Sequence, residues 1–322
     1  MQVCYDKGLY LPEIDLWLDA RGRKGLCLVS HGHVDHVARH RRVLSTRATS
    51  AILNQRAGTT PATTLEYGVP MEGPGYRLTL YPAGHCLGSA QALVEMEDTG
   101  ERLLYTGDFK LKPNATTEPA PIVPCDVLVT EATFGHPRYV FPPQEEVLDR
   151  LCSFVDNTMA GGAVPVVQAY VLGKSQEALE LLLQRGYEVC IEPSIYAMVR
   201  MYERHGVCFS GDYTCYDGSP LDGKVLVAPT GRRNATVQSI DRKRLAYLSG
   251  WAMDPSVRYR FGVDLALPFS DHADFADLVR YVEEAKPKNV YTLHGFPDLA
   301  QHLRGLGYDA THLLPHQMGF GM

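Results

Sequence analysis

Residues 30–36 read SHGHVDH, which places three histidines and an aspartate directly behind the apolar run Leu26 to Val29. In an extended or tight loop after a strand, His31 and His33 are two positions apart and project to the same side. Asp35 and His36 follow closely enough to face a second point nearby. Neutral imidazole and carboxylate are ligand types that Zn²⁺ and similar ions accept.

The rest of the chain repeats the arrangement. RLTLYPAGH ends in His85, RLLYTGD in Asp108, DVLVTE in Glu131, LALPFSDH in His272, and NVYTLHG reaches His294. Each is an apolar run that delivers a metal-binding or proton-transferring side chain at its C-terminal end, the sheet edge where sites of α/β folds collect. One such histidine reads as an ordinary core or surface residue. Agreement among six strand ends is not a packing pattern. A closed structural zinc has four ligands, usually with cysteine thiolates among them. Here the donors are His and Asp, too many for one ion. The count fits two hydrolytic cations about 3.5–4 Å apart that share a carboxylate and act on an anionic transition state.

Composition sets the limits. The chain has 322 residues and 45% hydrophobic content, enough for one large domain or two smaller ones. No apolar stretch approaches the roughly 18 residues of a membrane span, and the first 20 residues lack a signal-peptide pattern, so a cytosolic, globular protein is expected. The eight cysteines form no CxxC pair, and most lie in apolar runs, which predicts reduced, buried thiols. A net charge of −6 argues against a surface coated for polyanions, although a cleft can be basic on an acidic protein.

Up to about residue 135, short apolar runs punctuated by Gly, Pro and Asp predict strands at 2–5, 8–11, 14–18, 26–30, 42–46, 77–82, 91–96, 102–106 and 126–130. Helices are expected after His36 and over 49–57. From about 144 the texture changes. QEEVLDRLCSFVDNTMAGG and KSQEALELLLQRG have helical apolar spacing and glycine stops, and they alternate with AVPVVQAY, YEVCIE and GKVLVAPT, so 145–245 reads as a compact α/β unit. The remainder holds RLAYLSGW, the helix DFADLVRYVEEA, the strand NVYTLHG and the helix DLAQHLRGLG.

SHGHVDH, PAGHCLGSA and TGD together resemble the successive metal motifs of the metallo-β-lactamase fold. VTEATFG, FSDHAD and TLHG resemble the three further motifs of its β-CASP nucleic-acid-processing branch, and AYVLGKSQE resembles that branch's entry into its inserted domain. GHCLGSAQ, TEATFGHP, YVLGKSQ, SGW and SDHADF are most similar to small bacterial DNA exonucleases associated with ATP-dependent ligases, sequences also labelled mRNA 3′-end processing factors. The resemblance implies an α/β fold, an αββα sandwich formed by 1–144 and 246–322, with a small α/β domain inserted at 145–245. It implies two divalent ions, Zn²⁺ ahead of Mn²⁺. His31, His33 and His85 would hold the first, Asp35, His36 and His294 the second, and Asp108 would bridge. Asp35 is also counted with the catalytic groups. His272 would protonate the leaving oxygen and Glu131 would orient it. The implied activity is single-strand-preferring DNA exonuclease, with an RNA-processing nuclease as the alternative. Nucleic acid is the implied partner, DNA ahead of RNA, with a ligase or helicase of a repair pathway as an associate. A small-molecule metallohydrolase and a non-catalytic binding subunit are the more remote readings.

Lys174 and Ser175 stand at a helix start, where free N–H groups favour phosphate, and the resemblance makes phosphate contact the expectation there. The basic clusters ARHRR (38–42), TGRRN (230–234) and DRKR (241–244) read as backbone-phosphate contacts or as solvated surface. Trp251 is expected in the core. After SGW the ligase-associated relatives carry a run of arginines, whereas AMDPSVRYRFG leaves Arg258 and Arg260 as the nucleic-acid contacts. The thinner basic lining puts tight or processive binding in question and leaves fold and metal chemistry untouched.

Overall fold

A computed structural model of the chain describes residues 1–231, 234–314 and 317–319, which form two compact units. The first comprises Met1–Val140 and His272–Met322, the second Phe141–Asp271.

The first unit is built on two seven-stranded sheets. In one, Val3–Tyr5, Leu9–Leu11, Leu16–Leu18, Leu26–Leu28, Arg42–Thr46 and Ala62–Leu65 lie side by side, with Gln317–Gly319 at the edge beyond Val3–Tyr5. In the other, the order is Asp309–His312, Asn289–Leu293, Val127–Glu131, Arg102–Tyr105, Ala90–Met96, Tyr76–Pro82 and Met71–Gly73. The alternation of apolar residues explains the layering, because successive side chains of a strand point to opposite faces. Leu9, Leu11, Leu16, Leu18, Leu28 and Leu44 from the first sheet share a core with Leu78, Leu80, Val94, Leu103 and Val129 from the second. The opposite face of the second sheet carries Leu93, Leu104 and Leu128, packed on the helices Phe275–Ala285 and Asp298–Gly305. Leu53 of the helix Arg47–Ala57 packs with Cys27, Val29 and Val43 on the outer face of the first sheet. The layers are therefore helix, sheet, sheet, helix. Leu80 is fully buried between the sheets, so Leu80→Ala should cost about 2–5 kcal/mol by loss of transfer energy and creation of a cavity. A lower midpoint in denaturant at unchanged slope would record it.

The second unit has an all-parallel six-stranded sheet in the order Tyr213–Cys215, Glu188–Ile191, Lys224–Pro229, Val164–Ala169, Lys243–Leu248 and Leu265–Leu267. One face, with Val167, Ile191 and Val227, is covered by the helices Gln144–Ala160, Lys174–Gln184 and Pro193–Arg204. The other, with Val166, Leu226 and Ala228, packs on Val237 and Ile240. Burial on both faces is the reason these strands read as continuous apolar runs.

The strand runs expected in the first 135 residues are present within a residue or two, and two short strands, Ala62–Leu65 and Met71–Gly73, join them. No helix follows His36. Instead one tight turn spans Val34–His36, and the chain runs on extended from Val37. The inserted unit ends at Asp271, whereas the sequence pattern placed its end at 245. The physical reason is that Lys243–Leu248 pairs directly with Val164–Ala169, and Leu265–Leu267 then pairs with Lys243–Leu248. Trp251 lies on a turn, Gly250–Met253, and is 39% exposed rather than core. Cys27, Cys86, Cys125 and Cys190 are buried as expected, but Cys208 and Cys215 are exposed. Among the described residues no helix is long and apolar enough to cross a membrane.

Candidate metal centre

Strand register decides which loops meet. Arg102–Tyr105, Val127–Glu131 and Asn289–Leu293 run parallel, with Tyr105 opposite Val129 and Glu131 opposite Leu293. Their C-terminal ends therefore present Asp108, Glu131 and His294 at one edge. In the first sheet, Leu16–Leu18 and Leu26–Leu28 are also parallel, with Leu18 opposite Leu28, so Asp19 and the loop from Ser30 emerge together. Glycines permit close approach at two of these ends. Gly107 has φ +56°, and a Cβ there would lie 2.8 Å from the Ser30 hydroxyl. Gly295, at φ +63°, would bring a Cβ to 1.9 Å from the Ala132 carbonyl oxygen. Its neighbour His294 is also left-handed, at φ 58°. The His85 loop is tied down by its own backbone: the hydroxyls of Thr46 and Thr49 both donate to the Gly88 carbonyl, at 2.7 and 2.8 Å.

His31, His33, His85 and Asp108 are all buried, and one donor atom from each lies within 4.8 Å of the others. His85 Nε2 is 3.0 Å from His33 Nδ1. Asp108 Oδ2 stands 3.4 Å from His36 Nε2, 3.5 Å from His31 Nε2 and 3.9 Å from His85 Nε2. Burial, joined by the neighbouring His36, holds the pKa of His31 well below that of a free imidazole. Burial also opposes charge on His36 and Asp108, but their mutual attraction prevails, so His36 is raised and Asp108 lowered.

A carboxylate absent from the sequence reading organises this cluster from behind. Asp19 accepts from the Ser30 amide (2.7 Å), the Ser30 hydroxyl (2.5 Å), the Tyr105 hydroxyl (2.8 Å) and His36 Nδ1 (2.9 Å). Because the Ser30 hydroxyl donates to Asp19, its oxygen accepts from His31 Nδ1 at 2.9 Å. The Nδ1–H of each ring is thus directed away from the cluster, and the Nε2 atoms of His31 and His36 face it. The only sequence signal is LWLD, an acid at the end of one more apolar run.

His31 Nε2 is fully buried and has no hydrogen-bond partner. A buried lone pair without a donor is costly, and a cation is the group that satisfies it among three imidazoles and a carboxylate. The donor set therefore fits a divalent metal. Asp19→Ala should weaken metal affinity about 10–100-fold while leaving every candidate ligand in place, read by competition with a chromogenic chelator.

The remaining candidates are less convergent. Asp35 is on the rim, its carboxylate 56% exposed and 3.7 Å from His36 Nε2. The ring centre of His294 is 5.5 Å from that of His36. Neither joins the tight donor sets found among the described residues. Glu131 and His272, in contrast, form such a set with Asp108. His272 Nδ1 is 2.9 and 3.1 Å from the two oxygens of Glu131, which also accepts the Phe109 amide at 2.8 Å. Burial pushes the Glu131 carboxyl up, and the His272 beside it acts in the opposite sense. The His272 ring centre is 4.5 Å from that of His85.

In the second unit, the candidate phosphate contacts Lys174 and Ser175 both have partners within the protein. Ser175 is buried, and its hydroxyl donates to the Tyr170 carbonyl at 2.7 Å. The Lys174 ammonium is bound to the buried Asp271 carboxylate. Arg258 and Arg260 are exposed on the short helix Ser256–Phe261. The cluster at 241–244 is engaged internally: Arg242 donates to Gly161, Lys243 to Ile240, and Arg244 pairs with Asp264. Arg232 and Arg233 of TGRRN lie outside the described residues.

Comparison with known proteins matches residues 265–313 to the family described as RMMBL, a Zn-dependent metallo-hydrolase RNA specificity domain. Over 316 residues, 96% of this chain, the sequence is 41% identical to a protein of Opitutus terrae named "Probable DNA ligase", of which it covers 30%. It is 35% identical over 41% of its length to the transcription termination factor FttA of Pyrococcus horikoshii, covering 21% of that protein. It is also 24% identical over 72% of its length to the endoribonuclease YSH1 of Candida albicans, covering 33%. The chain belongs to the β-CASP branch of the metallo-β-lactamase family. The β-CASP chain spans a third or less of each of these relatives. Its fold is the αββα sandwich with an inserted α/β domain, and a crystal structure of "a Protein of Unknown Function from Enterococcus faecalis V583" shares that fold. It has a TM-score of 0.62 at 14% identity and covers 91% of this chain and 80% of its own.

Proposed function

We propose that the chain is a two-metal nuclease that hydrolyses phosphodiester bonds, acting as an exonuclease that prefers single-stranded DNA. The observation that carries the reading is the Glu131–His272 pair set against Asp108, beside a buried donor cluster of His31, His33 and His85. A plain lactam or thioester hydrolase has no need of a buried carboxylate that orients a second, proton-bearing imidazole. An expelled sugar oxygen does.

In this reading His31, His33, His85 and Asp108 hold one ion, and Asp35, His36, His294 and Asp108 hold the other, Zn²⁺ ahead of Mn²⁺. Bound cations there supply Lewis acidity toward the phosphate oxygens and the attacking water. The protein's own groups do the rest. Asp19 fixes the rings of His31, through Ser30, and of His36, and Asp108 offsets the positive charge of both ions. Glu131 accepts from His272 Nδ1, which stabilises the imidazolium and directs the opposite ring nitrogen toward the substrate. His272 gives a proton to the departing oxygen. DNA as substrate is supported by the ligase name of the Opitutus relative.

RNA is the second reading, supported by the RNA-specificity description of the matched family and the endoribonuclease name of the Candida relative. An assay on end-labelled DNA and RNA strands, with Zn²⁺ or Mn²⁺, separates the two. A chelator should lower cleavage about 10³-fold, the several kcal/mol of charge stabilisation that a cation supplies, and added Zn²⁺ should restore it. Cleavage indifferent to the chelator removes the metal from the proposal, and ladder against single-nucleotide products distinguishes endo from exo action.

A further inference from the structure

Three neighbouring strands of the first sheet, Leu26–Leu28, Arg42–Thr46 and Ala62–Leu65, run parallel. His31 and His33 follow the C-terminal end of the first of them. At the other end, the loops that lead into all three strands enclose an open groove of about 490 Å³, lined by Arg23, Arg39, His40, Arg41 and residues 58–61. The strand Arg42–Thr46 separates the two edges by five residues, roughly 15 Å at about 3.3 Å per residue.

The lining runs against the charge of the protein. In a chain of net charge −6, three exposed arginines meet in one concavity that has no carboxylate among its described lining residues. Backbone pairing holds the three loops together beside Arg41. The Arg41 amide donates to Lys24 O at 2.9 Å, that of Arg42 to Gly25 O at 3.0 Å, and that of Val43 to Pro61 O at 2.9 Å.

His40 adds an independent observation. It is buried, and its Nδ1 accepts from the backbone amide of Lys24 at 3.2 Å. A backbone amide only donates, so Nδ1 carries no proton and the proton of the neutral ring is on Nε2. That Nε2–H is buried and has no hydrogen-bond partner. Buried donors are nearly always satisfied, and an unsatisfied one beside a cationic groove points to an absent acceptor.

We propose that this groove binds a phosphate group, with Arg23, Arg39 and Arg41 as its cationic wall and the His40 Nε2–H as a neutral donor beneath them. Guanidinium forks match phosphate oxygens in geometry, and several donors from different sides suit a tetrahedral oxyanion. The phosphate comes from one of two sources, a nucleic-acid backbone or free inorganic phosphate. The strand source rests on the nuclease reading above. It makes the groove a remote anchor for the strand, outside the chemistry.

The test uses the metal-loaded protein and the double variant Arg39→Ala/Arg41→Ala, with matched metal content and melting temperature as controls. A cleavage-resistant phosphorothioate single strand should bind the variant about tenfold or more weakly, and the slope of log affinity against log salt should fall by about 0.7 for each phosphate that the variant no longer neutralises. That result identifies a strand. In the second arm, inorganic phosphate is titrated while the His40 ring nitrogens are followed by NMR. A shift of Nε2 in the wild type that is abolished in the variant, together with unchanged strand affinity, identifies free phosphate. Unchanged strand affinity and an unmoved Nε2 overturn the site. Neither arm reads cleavage, so failure here leaves the nuclease proposal standing, and an inactive protein that still gives either response fails that proposal alone.

Discussion

Asp108→Ala should leave a folded protein with substoichiometric metal and with cleavage reduced about 10³-fold or more. Loss of several kcal/mol of charge stabilisation sets that scale, at about 1.4 kcal/mol per factor of ten. The effect is large because one carboxylate oxygen lies 3.4 to 3.9 Å from ring nitrogens of His36, His31 and His85. Without it the imidazoles face one another with no negative charge between them, and each bound cation adds to the repulsion. Metal analysis by emission spectroscopy, paired with a melting curve, checks the prediction. Full metal occupancy with wild-type cleavage in Asp108→Ala would remove Asp108 from both sites.

His272→Ala should behave differently. Metal content is retained, and turnover on an ordinary phosphodiester falls about 10²–10⁴-fold, the usual contribution of a positioned acid. A p-nitrophenyl phosphodiester, whose leaving group departs without a proton, should be hydrolysed at close to the wild-type rate. Equal losses on both substrates would assign His272 a packing role, consistent with its contacts to the rings of His85 and Phe134. Glu131→Gln should fall between, about 10–100-fold down on the phosphodiester, because the amide still accepts one bond but stabilises the imidazolium less.

The strands and their terminal residues are legible in the sequence for a simple reason. A short apolar run that stops at a His or Asp carries its message within seven or eight residues, as in RLLYTGD and NVYTLHG. Asp19 does not stand out because its role is to accept four hydrogen bonds from Ser30, Tyr105 and His36, and none of those partners has a fixed spacing from it. Lys174 shows the same limit. A lysine at a helix start suggests an anion, and the carboxylate with which it pairs in the structure, Asp271, lies 97 positions away in the chain. The end of the insertion is hidden by strand pairing. Nothing local in RLAYLSGW reveals that it adds to the parallel sheet of the second unit.

The two-segment composition of the first unit also bears on synthesis. The strands up to Val127–Glu131, with His31, His33, His85, Asp108 and Glu131, leave the ribosome well before the next member of their sheet, Asn289–Leu293, which must wait for the whole of Phe141–Asp271. Until then the unfinished chain has neither His272 nor His294, and the late pairing of distant strands makes this closure slow relative to local folding. A ribosome-bound or truncated fragment that stops before His272 would therefore lack the acid of the proposed nuclease as well as His294, and both arrive only after the whole of Phe141–Asp271 has been synthesised.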